Sequence, residues 1–222
     1  MMSTKSSAGS GRRVRRSAEA SRALLLDVAE RRLAEHGVGG LAIADVAGEA
    51  GMSHGTLLHH FGSSEGMRHA LVSRMADGLL DEILALETSA ERPRAQMQGF
   101  FEHLFARLAA GGHARLIAWL SLSHSEDGRA QDPLAASAER LEHLVTNLAD
   151  RLRLAGRSPD PERSARYTVL LVISSAIGLG VARDSLLPGL ALDAGDEKGY
   201  ARWLAAVIGA HVEPEQSAAA GE

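Results

Sequence analysis

The sequence predicts an all-α fold, and three observations support this prediction. Apolar residues recur at three- and four-residue steps, which is the spacing of one face of a helix. The segments between turns are separated by glycine and serine, and no proline occurs before Pro93. The composition, with 45% hydrophobic and 23% charged residues over 222 positions, is that of an ordinary globular protein. We therefore expect helices that bury their apolar faces, and not a disordered or collagen-like chain.

Several classes of protein are excluded by what the sequence lacks. The chain has no cysteine, so disulfide scaffolds, thiolate catalysis and cysteine-bound zinc or iron–sulfur sites are ruled out. It has no nucleotide-binding loop, nucleophile motif or metal-ligand pattern, and we therefore expect no enzymatic activity, no cofactor and no metal. No apolar run follows the N-terminal arginines, so we expect a cytoplasmic protein without a secretory signal.

Charge is distributed unevenly along the chain. The first 22 residues carry six basic side chains against Glu19, a net charge of +5, whereas the other 200 carry 18 basic and 27 acidic side chains, a net charge of −9. A basic arm on an acidic body is typical of proteins that neutralise nucleic-acid phosphates. We expect a flexible arm over residues 1–19 whose phosphate contacts come from Arg12, Arg13, Arg15 and Arg16. The alternative is a solubilising tail.

The sequence of the first third of the chain predicts three short helices. Residues 20–36 place Leu26 and Leu33 on one apolar face, and glycines end this helix. Residues 42–50 form a second helix, and Ser53 is a suitable N-cap for a third helix that runs to Phe61. Because the second and third helices are short and closely joined, they have the size of a helix-turn-helix.

The geometry expected for the turn between these two helices accounts for the residues found in and after it. Gly51 permits the positive φ that a sharp turn needs. Leu57 and Phe61 are expected to point back towards Val46 and the first helix. The third helix then presents five residues on its outer surface: His54, Gly55, Thr56, His59 and His60.

Residues 42–65 resemble the DNA-binding domain of the tetracycline-repressor (TetR) family, and the resemblance extends over roughly residues 20–70. The matching positions are Asp45, Val46-Ala47, Ala50-Gly51, Ser53, Gly55-Thr56-Leu57, His60-Phe61 and Glu65. The resemblance implies a homodimer that binds a palindromic operator in double-stranded DNA. It assigns DNA contact to the third helix and its cap: Ser53, His54, Gly55, Thr56, His59 and His60.

Two departures from the family pattern bear on DNA binding. Leu58 and Ser64 stand where the family prefers tyrosine and lysine, which commonly reach the DNA backbone. Residues 23–80 carry four arginines and seven carboxylates, a net charge of −3. We expect the arm to replace the missing contacts. The alternative is a dimeric helical binding protein whose helix-turn-helix has lost strong operator binding.

The rest of the chain predicts a second helical domain. Helices are expected from Pro93 to Ala110, over 113–123 and from Pro133 to about Leu154. The family resemblance implies that this domain binds a small effector, here expected to be hydrophobic. Its candidate effector-binding residues are aromatic: Phe101, Phe105, Trp119 and Tyr167. The alternative is that these rings only fill the core.

Residues 167–182 form the longest run without a charge. This run is shorter than the ~20 apolar residues of a membrane span, so we expect a helix buried on nearly all sides and no membrane contact. A last helix is expected over 197–211. The resemblance implies that these two helices form a four-helix bundle with a second subunit, through Ile177, Gly178, Val181, Trp203 and Val207. The alternative is packing within one chain.

These expectations divide the chain into four parts. They are a basic flexible arm (1–19), a helix-turn-helix DNA-binding domain (20–66), an effector-binding and dimerisation domain (67–212) and a disordered tail (213–222). A long helix from Ser64 to about Leu86 leads from one domain into the other. The expected function is a ligand-responsive transcriptional regulator, a repressor that a small hydrophobic effector releases from its operator.

Overall fold

The computed structural model describes residues 17–88, 94–109, 112–123, 137–156 and 158–212. Within these ranges the chain forms α-helices and one 3-10 turn, with no strand, so the all-α prediction is confirmed. The arm arginines Arg12, Arg13, Arg15 and Arg16 and the tail (213–222) lie outside the described residues. The helices are α1 (Ala18–His36), α2 (Ile43–Glu49), α3 (His54–Phe61), α4 (Ser64–Thr88), α5 (Arg94–Ala109), α6 (His113–Ser123), α7 (Ala138–Leu154), α8 (Pro161–Gly189) and α9 (Asp196–Val212).

The N-terminal domain consists of α1, α2, α3 and the first turns of α4. The turn between α2 and α3 forms as predicted: Gly51 has a φ of 67°, and the backbone N–H of Met52 donates to the carbonyl oxygen of Ala47 at 2.8 Å. The Ser53 hydroxyl caps α3 by accepting a hydrogen bond from the backbone N–H of Thr56. Leu57 is fully buried and fixes α3 to the core of this domain.

Helix α4 is shared by both domains, so the boundary expected at residue 66 falls inside a continuous helix. The Ser63 hydroxyl accepts from the backbone N–H of Gly66 at 2.9 Å and caps the helix. A Cβ on Gly66 would lie 2.1 Å from the carbonyl oxygen of Phe61. The tight junction of α3 and α4 therefore requires glycine at this position. Met67 and Leu71 are buried beneath α3, so α4 is anchored to the N-terminal domain.

The C-terminal domain consists of α5 to α9 and the remaining turns of α4. Helix α8 packs against α5, α6 and α7, and α9 packs against α5. A Cβ on Gly180 would lie 2.6 Å from the Cβ of Ala114, so this glycine permits the close contact of α8 with α6. Nothing lies within 4 Å of the position of a Cβ on Gly178, which faces outward.

The prediction that the helix containing residues 167–182 is buried on nearly all sides is wrong. Helix α8 has 29 residues, and one side of it is buried against other helices of this chain. On its other side, Tyr167 and Leu170 are 62% and 60% exposed. Among the described residues, α8 is the one helix that is long and apolar enough to cross a membrane by length and composition, and only 22% of its most apolar window is buried. The uncharged run therefore reflects an exposed apolar face as well as core packing.

Candidate DNA-binding surface and effector cavity

The outward face of α3 carries the residues that the sequence predicted for it. His54, Gly55 and His59 are exposed, and Thr56 and His60 are partly exposed. The Thr56 hydroxyl lies 2.9 Å from the Ser53 hydroxyl, which fixes both groups at the start of the helix. Among the described residues, no group of three or more histidine and acidic side chains is placed to hold a metal ion.

The arginines of α1 are paired with carboxylates of α2. Arg31 contacts Glu49 at 2.6 Å, and Arg32 contacts Asp45 and Glu49 at 3.0 Å each. The hydrogen bond to Glu49 raises the pKa of Arg31, and hydrogen bonds from both arginines lower the pKa of Glu49. These pairs fix α2 to α1, and they engage the guanidinium groups of both Arg31 and Arg32 in contacts within the domain.

Two other arginines near α3 and α4 are also engaged within the protein. The Arg22 guanidinium lies 5.0 Å from the ring centre of Phe61. Arg74 contacts Asp27 and Glu30 at 2.6 Å each. The exposed side of α3 thus carries hydroxyl, imidazole and backbone groups, whereas these four arginines contact other groups of the protein.

An apolar cavity of about 170 Å³ lies in the C-terminal domain. It is lined by residues of five helices, α4 to α8. Its walls are formed by Met75, Ala76, Leu79, Leu80, Ile83, Met97, Phe100, Phe101, Leu104, Leu108, Ile117, Leu141, Leu144, Leu148, Arg151, Thr168, Val169, Val172, Ile173 and Ile177. A mostly apolar cavity with few polar groups is the common form of a small-molecule site.

The cavity includes only one of the four aromatic residues expected there. Phe101 lines it. Phe105 is buried, but its ring packs edge-to-face against Tyr200 at 5.5 Å, outside the cavity. Trp119 is 38% exposed and lies beneath the Arg68 guanidinium at 4.4 Å, and Tyr167 faces outward on α8. These three side chains do not line this cavity, because helical spacing identifies a face but not the neighbour that covers it, and their role in effector binding stays a prediction.

The residues expected at the dimer interface also separate into two groups. Ile177 is partly exposed and lines the cavity, so it does not share the exposed side of α8, and its place in a dimer interface stays a prediction. Gly178, Val181, Trp203 and Val207 are exposed, with Trp203 at 59%. Together with Tyr167, Leu170, Leu171 and Ser174, they form what we call the outer face of α8 and α9. On α8 each member of this face has another member three or four residues away, which places them on one side of the helix.

A polar cluster that the sequence did not reveal connects the two domains. Glu30 of α1 accepts hydrogen bonds from Arg74 of α4 and Arg107 of α5. His113, the first residue of α6, is buried, with its Nε2 4.0 Å from Glu30 and its Nδ1 3.2 Å from the carbonyl oxygen of Arg107. Burial lowers the pKa of His113, which favours the neutral imidazole.

Comparison with known proteins identifies the N-terminal domain. Residues 25–71 match the family model described as bacterial regulatory proteins, tetR family. The regulator BetI of Rhizobium meliloti is 26% identical over 151 residues, which span 68% of this chain and 73% of BetI. The repressor KstR2 of Rhodococcus jostii is 30% identical over 129 residues, which span 55% of this chain and about half (51%) of KstR2.

The fold of both domains is shared with a solved regulator. A TetR-family transcriptional regulator from Pectobacterium atrosepticum superimposes with a TM-score of 0.59 at 18% sequence identity, covering 91% of this chain and all of that one. The helical C-terminal domain therefore accompanies the same N-terminal domain in that protein. Residues 25–71 are therefore identified as a DNA-binding domain of the tetR family of bacterial regulatory proteins.

Proposed function

We propose that the protein is a cytoplasmic, homodimeric repressor of transcription that binds a palindromic operator and is released from it by a small hydrophobic effector. Helix α3 of each subunit enters the major groove, as recognition helices of helix-turn-helix proteins do. Ser53, His54, Gly55, Thr56, His59 and His60 meet the DNA, and the arginines of the arm contact phosphates on either side.

The outer face of α8 and α9 supports the dimer. It places tryptophan, tyrosine and leucine side chains at the surface of two helices, and exposed apolar surface of this kind marks interaction sites. Gly178 is part of this face, and nothing lies within 4 Å of its Cβ position, so the absence of a side chain permits close approach of a second helix. A symmetric pair of subunits holds the two α3 helices about one turn of DNA apart, which a palindromic site requires.

Helices α4 and α6 are two of the helices that connect the cavity with the DNA-binding domain. Helix α4 lines the cavity through Leu79 and Ile83, and its first turns lie beneath α3. Helix α6 lines the cavity through Ile117, while its Trp119 packs against Arg68 of α4 and its His113 lies beside Glu30 of α1. A ligand that moves either helix therefore changes the position of α3.

The magnitude required of this coupling is modest. A ligand shifts the equilibrium only by its difference in affinity for the two states, and a tenfold change in operator affinity needs ~1.4 kcal/mol. The observation that carries the proposal is that one helix, α4, both lines the apolar cavity and supports the recognition helix.

The proposal is tested by binding the full chain to an operator selected from random DNA, measured by fluorescence anisotropy over a series of salt concentrations. A specific repressor selects a palindrome and binds it at least a thousandfold more tightly than unrelated DNA. Selection of no common sequence contradicts the proposal.

One observation favours a second function, a dimeric binding protein without strong operator binding. Arg31 and Arg32 are paired with Glu49 and Asp45, and Leu58 and Ser64 offer no charge to the DNA backbone. In that case the same experiment gives weak binding of equal strength to all sequences, while an apolar compound still binds the C-terminal domain.

A further inference from the structure

The cavity wall restricts the chemistry of its ligand. Of the twenty described residues that line the cavity, eighteen are apolar, and the exceptions are Arg151 and Thr168. The Thr168 hydroxyl already donates to the carbonyl oxygen of Ser164 at 2.8 Å. A sugar, nucleobase or peptide would lose its hydrogen bonds to water in this cavity and regain few of them. The body of the ligand is therefore without polar groups.

The residues that line the cavity extend along several turns of its helices. Its lining residues on α8 run from Thr168 to Ile177, a distance of about 14 Å at the rise of an α-helix. Those on α7 run from Leu141 to Arg151, about 15 Å by the same rise. Met75 and Met97 add flexible side chains that adapt to an irregular chain. An extended aliphatic chain matches this form better than a compact ring system.

Arg151 gives one end of the cavity a positive charge. It lies in the last turn of α7, and Thr168 lies near the start of α8, so both residues are at the end next to the turn that joins these helices. Arg151 is partly exposed, which reduces the cost of bringing an anion beside it. It already has an interaction within the protein, but a guanidinium has five N–H donors and binds a carboxylate through two of them.

We infer that the effector is an aliphatic chain with a single anionic head group, whose tail fills the cavity and whose head pairs with Arg151. No carboxylate is among the described residues of the wall, so a cationic head would lack a partner and would face Arg151. This inference rests on the proposed function, because it identifies the effector class of the same site.

The ligand class is tested by calorimetric titration of the full chain with hexanoate, octanoate and decanoate, each below its micelle concentration. Affinity is expected to rise about fourfold for each added methylene until the cavity is full. Decanoate is expected to bind at least tenfold more tightly than decanol or decylamine. Equal or tighter binding of decanol or decylamine would overturn the inference.

A pair of variants on α7 tests the role of Arg151. Arg151→Met is expected to lower the affinity for decanoate about tenfold and to leave that for decanol within about twofold. Arg153→Met is the matched control, because Arg153 is exposed, pairs with Asp150 and Glu162 and is not part of the cavity wall. An Arg151→Met variant that keeps the preference for decanoate contradicts the assignment.

Operator binding distinguishes this inference from the proposed function. If decanoate binds with the expected preferences and operator affinity does not change, the ligand class stands and the regulatory function fails. If decanoate does not bind and an uncharged aromatic compound releases the operator, the ligand class is overturned and the regulatory function stands.

Discussion

The N-terminal and C-terminal domains use their apolar residues in different ways. In the described part of the chain, every large apolar residue that is exposed lies at position 119 or beyond, in the C-terminal domain. The large apolar side chains of α1, α2 and α3 are buried or partly buried around Leu25, Leu33 and Leu57. The N-terminal domain is thus complete within one chain, whereas the C-terminal domain leaves a cavity and an outer face uncovered.

This difference corresponds to the proposed roles. A DNA-binding domain must present α3 in one fixed orientation, and a closed core with the Arg31–Glu49 and Arg32–Asp45 pairs provides it. A domain that binds a second subunit and a ligand must keep apolar surface available for both. Under the proposed function these partners cover the apolar surface of the C-terminal domain, and changes in the two domains are expected to have separable effects.

The largest effect is expected from Gly178→Arg on the outer face of α8. A long charged side chain there prevents close approach of a second helix, so sedimentation is expected to show a folded monomer. Operator affinity then falls more than a hundredfold, because the second half-site is no longer bound at high effective concentration. Gly99→Arg is the control, since nothing lies within 4 Å of either glycine's Cβ position and Gly99 lies on α5. If the Gly178→Arg protein is still a dimer, the interface does not lie on this face.

Removal of the arm is expected to have the next largest effect, and it affects DNA binding alone. Deletion of residues 1–16 is expected to lower the slope of log affinity against log salt by roughly 0.9 for each phosphate that the arm neutralises, up to about four phosphates. Ligand binding and the dimer are expected to be unchanged. Neutralising Arg153 and Arg163, which are exposed in the C-terminal domain, serves as the control. An unchanged slope after the deletion shows that the arm does not bind phosphates.

Gly66→Ala tests whether α3 and α4 are as tightly joined as the structure shows. The new Cβ would lie 2.1 Å from the Phe61 carbonyl oxygen, so we expect a loss of about 2 kcal/mol of stability, as overpacking usually costs. Operator affinity falls with the reorientation of α3. Gly48→Ala, on the open side of α2, is expected to keep or raise stability by up to ~1 kcal/mol. Thermal unfolding of both variants provides the measurement, and an unchanged Gly66→Ala protein contradicts the tight α3–α4 junction.

The smallest effect is expected from Trp119→Leu, at the contact of the two domains. Trp119 lies outside the cavity and beneath Arg68. Ligand affinity is therefore expected to change less than about twofold, while the effect of ligand on operator affinity weakens by roughly 0.5–2 kcal/mol, the usual range for residues that couple two sites. Leu122→Ala, an exposed site on the same helix, is the control. A parallel loss of ligand affinity instead places Trp119 in the binding site.

The sequence predicts the N-terminal domain well because its structure depends on local signals. Gly51, Ser53 and Leu57 act on residues within a few positions of themselves, so their roles follow from spacing. The role of Gly66 does not follow in this way, because its close approach to the Phe61 carbonyl oxygen is visible only in three dimensions.

The positions of side chains in the C-terminal domain are less predictable, because its apolar residues lie in three different environments. The core, the cavity and the outer face all take the same residue types at the same helical spacing. Phe105 lies in the core, Ile177 in the cavity wall and Tyr167 on the outer face, and nothing in their sequence positions distinguishes them. The contact of Arg68 with Trp119 joins helices far apart in the chain, and it leaves no local pattern.

The central claim is that ligand in the C-terminal cavity and operator on the N-terminal domain oppose each other's binding. It is tested most directly by measuring the affinity of decanoate for the free protein and for the protein saturated with its selected operator. Coupling is reciprocal, so we expect operator to weaken decanoate binding by the same factor, about tenfold, by which decanoate weakens operator binding. Equal affinity of decanoate for the free and the operator-bound protein would contradict the account.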